Sequence, residues 1–406
     1  MGEYWMVDLP DIHQRVMSAL LRPVPSHRSE LFPPIQKRII EKMQKIMQTR
    51  NDIIILVATG TGGLEACGVN FFKPGDNVIV PVCGTFSSRL CEYVKNAGAN
   101  AIKVEAPVGE EPSFSQVREA FKEAKNVKAL FTVYDETSTG VNITWLKEAG
   151  ELCKEQGSLF IMDAHAAFSV CDLPVDKWGI DVCVTGSQLS LGGPTGLCFM
   201  SISEKARKYL EANPPKSIYF SIPYYLNWYE VGLHPFSPAA TLMLAMDEAL
   251  NIVLEEGLDV RIKSCAACAE AYYSAFEAIG IEPLVKKKEI RSTFILSFKI
   301  PDAVNGDEFR RFLDNKYGIF VAGPIPAWPN SFRIVPGGPV PSFREGLVFT
   351  IVSCISSTFN LLGYKNDMGK AVEAAHKILK DMPVPGKKEY SPDLSGRQVD
   401  LQSQKS

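Results

Sequence analysis

Short unbroken apolar runs recur through the first half of the chain, several of them separated by stretches with helical spacing. Ile53-Ile54-Ile55-Leu56-Val57-Ala58 is the first, and others occupy 77–82, 129–134, 159–162, 182–185 and 197–202. Runs of this length without polar alternation read as strands buried on both faces. Segments 64–72, 115–123 and 146–156 carry the spacing of helices. Such alternation predicts an α/β fold, a mainly parallel sheet covered by helices. Ahead of it, 12–21 and 34–49 read as amphipathic helices, the first ended by Pro23 and Pro25. An aromatic and proline-rich segment, 217–238, leads into long helices at 239–255 and 259–280. Beyond 283 the pattern changes to strands at 293–299, 318–321 and 331–335 with helices at 306–316, 346–361 and 368–382. The expected organisation is an arm over 1–25, a large domain over 26–282 and a smaller α+β domain over 283–385. The polar stretch 386–406 has no period and is expected to be disordered.

Composition narrows the function classes. In 406 residues, 43 basic side chains stand against 46 acidic ones for a net charge of −3, which gives no electrostatic case for nucleic acid or an anionic membrane. No apolar run approaches the roughly 20 residues of a membrane span. The first ten residues do not read as a signal peptide, and ten scattered cysteines predict reduced thiols in a cytoplasmic setting. Cys265 and Cys268 have CxxC spacing but lie in an alanine-rich helical run with no second pair, which reads as helix packing.

Candidate chemistry begins at Thr59-Gly60-Thr61-Gly62-Gly63, between a strand and a helix start. Glycines there let backbone amides approach an anion at the positive end of the helix dipole, and threonine hydroxyls add donors. The alternative is a plain tight turn, since the stretch is neither a P-loop nor GxGxxG. Asp163 closes the run Leu159-Phe160-Ile161-Met162, placing a carboxylate at the C-terminal end of a buried strand, the edge where open α/β sheets bind ligands. It can hold a protonated ring nitrogen or cap the following loop. If the strand continues, His165 shares a face with it.

In this order the pieces resemble the class V aminotransferases, the alanine–glyoxylate and serine–pyruvate type of the fold-type I pyridoxal phosphate enzymes. The resemblance spans about 12–335. It is carried by Ser26-His27-Arg28-Ser29, Thr59-Gly60-Thr61-Gly62-Gly63-Leu64-Glu65-Ala66, Lys73-Pro74-Gly75-Asp76 and Glu136-Thr137-Ser138-Thr139-Gly140-Val141. Met162-Asp163-Ala164, Trp178-Gly179-Ile180-Asp181-Val182, Gly186-Ser187-Gln188, Pro235-Phe236-Ser237-Pro238 and Phe332-Arg333-Ile334 complete it. It implies pyridoxal or pyridoxamine 5′-phosphate as cofactor, with the phosphate held by Thr59, Gly60, Thr61 and Gln188. Phe86 would stack on the ring, Thr137 would contact the ring hydroxyl region, and Asp163 would face the pyridine nitrogen. His165 replaces a small apolar residue on the other ring face. His234 and Ser237 match positions that reach the phosphate from a second subunit, so a homodimer with shared sites is implied. Arg333 matches the clamp for a substrate carboxylate, a small amino acid or 2-oxo acid.

The departure is Leu189, which stands where the family has its Schiff-base lysine. That lysine holds the cofactor covalently and shuttles a proton, and a positioned acid–base is worth about 10²- to 10⁴-fold in rate. Lys177 and Lys205 do not obviously replace it. Trp5-Met6-Val7-Asp8-Leu9-Pro10 also replaces a glycine- and proline-rich loop of the family, and Tyr134 stands where histidine is frequent. The sequence leaves open a non-covalent cofactor enzyme with His165 as acid–base, a repurposed enzyme, a ligand- or partner-binding pseudoenzyme, and an engineered substitution at 189.

Overall fold

A computed structural model describes residues 5–6, 12–337 and 343–383. The tail 386–406, Val7 to Pro10 and most of the arm's first half lie outside them. In chain order, β1 (Trp5–Met6), α1 (Gln14–Ala19) and α2 (Pro33–Met47) precede β2 (Asp52–Leu56), α3 (Gly60–Phe71), β3 (Asn77–Val82), α4 (Thr85–Asn96), β4 (Asn100–Glu105) and α5 (Phe114–Glu123). Next come β5 (Val127–Val133), a ribbon of β6 (Asp135–Glu136) and β7 (Val141–Asn142), then α6 (Leu146–Glu155), β8 (Leu159–Asp163), β9 (Val182–Gly186) and β10 (Cys198–Ile202).

The main sheet has seven strands in the order β2-β10-β9-β8-β5-β3-β4. All of its pairings are parallel except those of β10, which runs antiparallel to β2 and β9. This accounts for the β-branched runs: β2, β8, β9 and β10 are buried along nearly their whole length and take Ile, Val, Phe and Met on both faces. The sequence pattern does not show β4, because this edge strand buries mainly Val104 and alternates with Lys103 and Glu105. Helix α2 starts on Pro33 and Pro34, where a missing amide costs nothing, and buries Ile35, Ile39 and Met43 at four-residue spacing.

Register sets the level of the sheet's working edge. Cys198 pairs with Leu56 on one side and Gly186 on the other, and Val184 pairs with Asp163. The C-terminal ends of β2, β9 and β8 therefore lie level along one edge, with the start of β10 between the first two, and the turns that follow them share one region.

After α7 (Glu204–Ala212), α8 (Ile222–Glu230), α9 (Ala240–Glu256) and α10 (Leu258–Ala278), the chain forms β11 (Leu296–Lys299), α11 (Gly306–Tyr317), β12 (Ile319–Phe320), β13 (Ser331–Ile334), α12 (Glu345–Leu361) and α13 (Met368–Leu379). Two apolar cores result. One packs the main sheet, and the other gathers α10 to α13 with β11 and β13. Within the second, the Cys265 thiol donates to the Thr293 carbonyl and Cys268 meets the Met382 sulfur.

Helix α3 lies close against the sheet because Gly63 has no side chain. A Cβ there would stand 2.2 Å from Cys198 Sγ and 2.8 Å from Val184 Cγ1. Gly63→Ala is expected to lower stability by about 1–3 kcal/mol in urea unfolding. Adding Cys198→Ala should recover part of that loss, and no recovery would show that the Cys198 contact is not what limits the approach.

Candidate functional site

The residues following β2, β8 and β9 meet around His165. Its imidazole fills the space that two glycines leave: a Cβ on Gly60 would stand 2.1 Å from Nδ1, and one on Gly186 would stand 2.2 Å from Cε1. Any side chain at either position would expel the ring. Strand β8 ends at Asp163 rather than continuing, and residues 165–170 form a turn. The reason is local. Asp163 Oδ1 accepts the His165 amide at 2.9 Å, closing an Asx-type turn, while the Ala164 amide bonds the Val184 carbonyl. His165 thus reaches the site from a turn and not from a strand face shared with Asp163.

Thr59 is the N-cap of α3 and spends no side-chain bond on capping. Thr59 and Thr61 are exposed while Gly60 is buried. The amides of Gly62 and Gly63 fold back to the Thr59 carbonyl, and first-turn amides such as those of Gly60 and Thr61 have no partner within a helix. Gln188 lies beside the same spot, its Oε1 2.7 Å from where a Gly186 Cβ would be. That oxygen is buried without a partner.

Electrostatics follow burial. Asp163 is 8% exposed, and burial pushes its carboxyl up to about 7; the His165 amide opposes the shift and the nearby Glu136 carboxylate adds to it. Burial pushes the His165 imidazole down to about 4, so it is neutral near pH 7, able to accept a proton and not to serve as a resident cation.

Leu189 adopts a positive φ of 59°, which a bulky residue takes only when its surroundings impose it. It opens a single 3₁₀ turn, Leu189–Leu191, and packs against the second core. The turn is held from outside. Ser190 Oγ donates to the Phe168 carbonyl, and the fully buried Arg261 donates to the Ser190 carbonyl while pairing with Glu256. Ser187 Oγ donates to the Pro194 carbonyl and accepts the Leu197 amide. Lys205 is engaged elsewhere, on the Ser158 carbonyl and Asp181 at the far ends of their strands, so it supplies no amine here.

Arg333 sits on β13 opposite Ser297, and its Nη1 donates to the Thr137 carbonyl at 2.7 Å, which brings those two residues together. Phe86 lies in the first turn of α4 with the Arg89 guanidinium 5.0 Å from its ring centroid. His234 is placed differently from the group around His165. It is buried with Nδ1 against the Phe236 carbonyl and Nε2 against the Ile55 carbonyl, so both ring nitrogens are engaged within their own chain. Ser237 is exposed. Tyr134 is buried and donates to the Asp172 carbonyl.

The sequence reading assigned no role to Glu136, Arg261 or Ser187. Glu136 is legible only as part of a motif, and nothing in the sequence separates Arg261 from Lys263 and the other charged residues of its helix. No group of metal-ligating side chains occurs among the described residues.

The sequence profile of the family described as aminotransferase class-V matches residues 17–327. An uncharacterized aminotransferase of Methanocaldococcus jannaschii is 33% identical over 368 residues, covering 90% of this chain and 94% of that protein. The alanine–glyoxylate aminotransferase of Drosophila melanogaster is 29% identical over 366 residues, covering 88% and 92%. Among solved structures, the ureidoglycine–glyoxylate aminotransferase of Bacillus subtilis superposes with a TM-score of 0.89 at 26% identity, covering 94% of this chain and 99% of that one.

The raised Asp163 pKa has a signed consequence for the ligand-free protein. The folded chain holds this proton up to about pH 7, whereas an unfolded chain releases it near pH 4. Between those values the folded state binds more protons, so stability falls as pH rises through the window and the penalty is complete above about 7. Asp163→Asn removes this contribution. In urea unfolding, the variant's stability relative to the unaltered chain should improve from pH 4 to pH 8 by on the order of 3 kcal/mol. A pH-independent difference would show that the carboxylate is not held neutral by burial.

Proposed function

For a chain that belongs to the class V aminotransferase family, we propose an enzyme that binds pyridoxal or pyridoxamine 5′-phosphate without a covalent link and acts on a small amino acid or 2-oxo acid. The observation that carries this reading is the ring of His165 between Gly60 and Gly186, beside a buried Asp163, with leucine at the position next to Gln188.

The residues present fit the cofactor. Thr59, Gly60 and Thr61 at the start of α3, with the side-chain NH₂ of Gln188 as a further donor, form a cradle for a phosphate dianion. Asp163 is a carboxylate whose burial penalty falls when a protonated ring nitrogen faces it. Phe86 covers the ring, Thr137 meets the ring hydroxyl region, and Arg333 clamps the substrate carboxylate. Bound there, the cofactor supplies a conjugated ring that withdraws electrons from the substrate carbon. The chain's own share is binding, orientation and proton movement. The neutral imidazole of His165 is the candidate proton carrier, and Leu189 contributes an apolar wall.

The reading extends to assembly and location. Ser237, exposed on the segment that precedes α9, is offered to the phosphate of a second copy, which makes the enzyme a homodimer with shared sites. His234 takes that role only after its bond to the Ile55 carbonyl is released. All ten cysteines are free thiols and nine are buried, which fits a reducing, cytoplasmic compartment. No helix among the described residues is long and apolar enough to cross a membrane.

Borohydride treatment after incubation with pyridoxal phosphate should fix no adduct on the unaltered chain and should fix one on Leu189→Lys. If the lysine variant also remains unmodified, the surrounding pocket does not present the aldehyde to position 189 and the reading fails. His165→Ala should keep cofactor affinity and lose about 10²- to 10⁴-fold in turnover. Unchanged turnover would remove His165 from the chemistry.

A further inference from the structure

Glu136 carries more bonds than any other side chain near the candidate site and has no part in the reading above. It ends β6, directly before Thr137, and is fully buried. Its Oε1 accepts the Phe86 amide at 3.1 Å, the Ser138 amide at 3.0 Å and the Ser138 hydroxyl at 2.5 Å. Its Oε2 accepts the Ser87 amide at 2.8 Å and the Ser87 hydroxyl at 2.6 Å. A carboxylate held this way satisfies the first-turn amides of α4, which a helix cannot satisfy itself, and places a negative charge at the positive end of its dipole.

The surrounding contacts make this arrangement rigid. Ser87 Oγ also accepts the Cys83 and Gly84 amides, Ser138 Oγ accepts the Thr85 amide, and Thr139 Oγ1 donates to the Cys83 carbonyl. Gly84 is needed for the approach, since a Cβ there would lie 2.4 Å from Ser138 Oγ and 2.5 Å from Glu136 Cδ. The loop before α4 and the turn after β6 are thus one bonded unit centred on a single carboxylate. Phe86 hangs from that unit through its amide, with Arg89 one turn on lying against its ring.

We propose that Glu136 is a positioning residue for Phe86, fixing the start of α4 so that the aromatic ring is held ready to stack on the bound cofactor. This rests on the reading that the cofactor binds beneath Phe86. Glu136 acts on cofactor affinity mainly through the ring, its charge being the smallest of the influences on the Asp163 carboxyl, and a ring that need not be immobilised on binding retains its full stacking energy.

A double-mutant cycle separates this role from general support of the fold. Glu136→Gln keeps the side chain's shape, but its NH₂ group accepts no hydrogen bond, and each oxygen of Glu136 faces at least one backbone N–H, so either orientation breaks a bond. In fluorescence titrations with pyridoxal 5′-phosphate, Glu136→Gln and Phe86→Leu should each weaken binding about fivefold, the equivalent of about 1 kcal/mol of stacking. The double variant should bind as Phe86→Leu does. In the ligand-free protein, hydrogen exchange at the Phe86 and Ser87 amides should quicken in Glu136→Gln. Multiplying losses in the double variant, or unchanged affinity in Glu136→Gln despite faster exchange, overturns the proposal. Should Glu136→Gln not fold, Ser87→Ala takes its place in the cycle; it leaves both amides on the carboxylate, so a loss of about twofold is expected, again absent with Phe86→Leu. No binding by the unaltered chain overturns the cofactor reading and this role together, whereas binding with independent losses overturns this role alone.

Discussion

The candidate site depends on one steric constraint, the room for an imidazole that exists only because positions 60 and 186 have no side chain. Sheet register creates that coincidence by setting Leu56, Cys198 and Gly186 level, so that the start of α3 and the end of β9 face each other. Into the gap comes His165, delivered by a turn that Asp163 itself closes. The same Asp163 is buried at the sheet's edge, where burial makes its charge costly unless a partner arrives. Anion cradle, buried carboxylate and neutral imidazole are therefore consequences of one arrangement of strand ends.

The turn at Leu189 shows what persists when a reactive group is absent. A leucine at positive φ is strained, and a buried Arg261–Glu256 pair is costly to desolvate, yet the first lies directly before Ser190 and the second reaches across from α9 and α10 to hold its carbonyl. The backbone geometry at position 189 is imposed by neighbours and not by the residue occupying it. A scaffold of this kind keeps its shape while its chemistry changes, which is why a lysine restored there tests the pocket rather than the fold.

Much of the large sheet was legible because strands covered on both faces must be continuously apolar, as Ile53 to Leu56 and Leu159 to Met162 are. The antiparallel direction of β10 was not, since an apolar run carries no sign of its polarity, and β4 was hidden by its exposed lysine and glutamate. At the site, Thr59 to Gly63 and Asp163 stood at strand ends where the runs put them. His165 did not follow the strand period, because the Asp163 side chain captures its amide and ends the strand. The role of Glu136 was invisible for a different reason: its partners Phe86 and Ser87 are about fifty residues upstream, and only folding brings them to it.

The central claim is that binding survives without a covalent anchor, and equilibrium dialysis of the unaltered chain against pyridoxal 5′-phosphate tests it most directly. The account predicts saturable binding of one cofactor per chain, lost completely on dialysis into buffer. Retention of the cofactor after exhaustive dialysis, or no saturable binding, would contradict it.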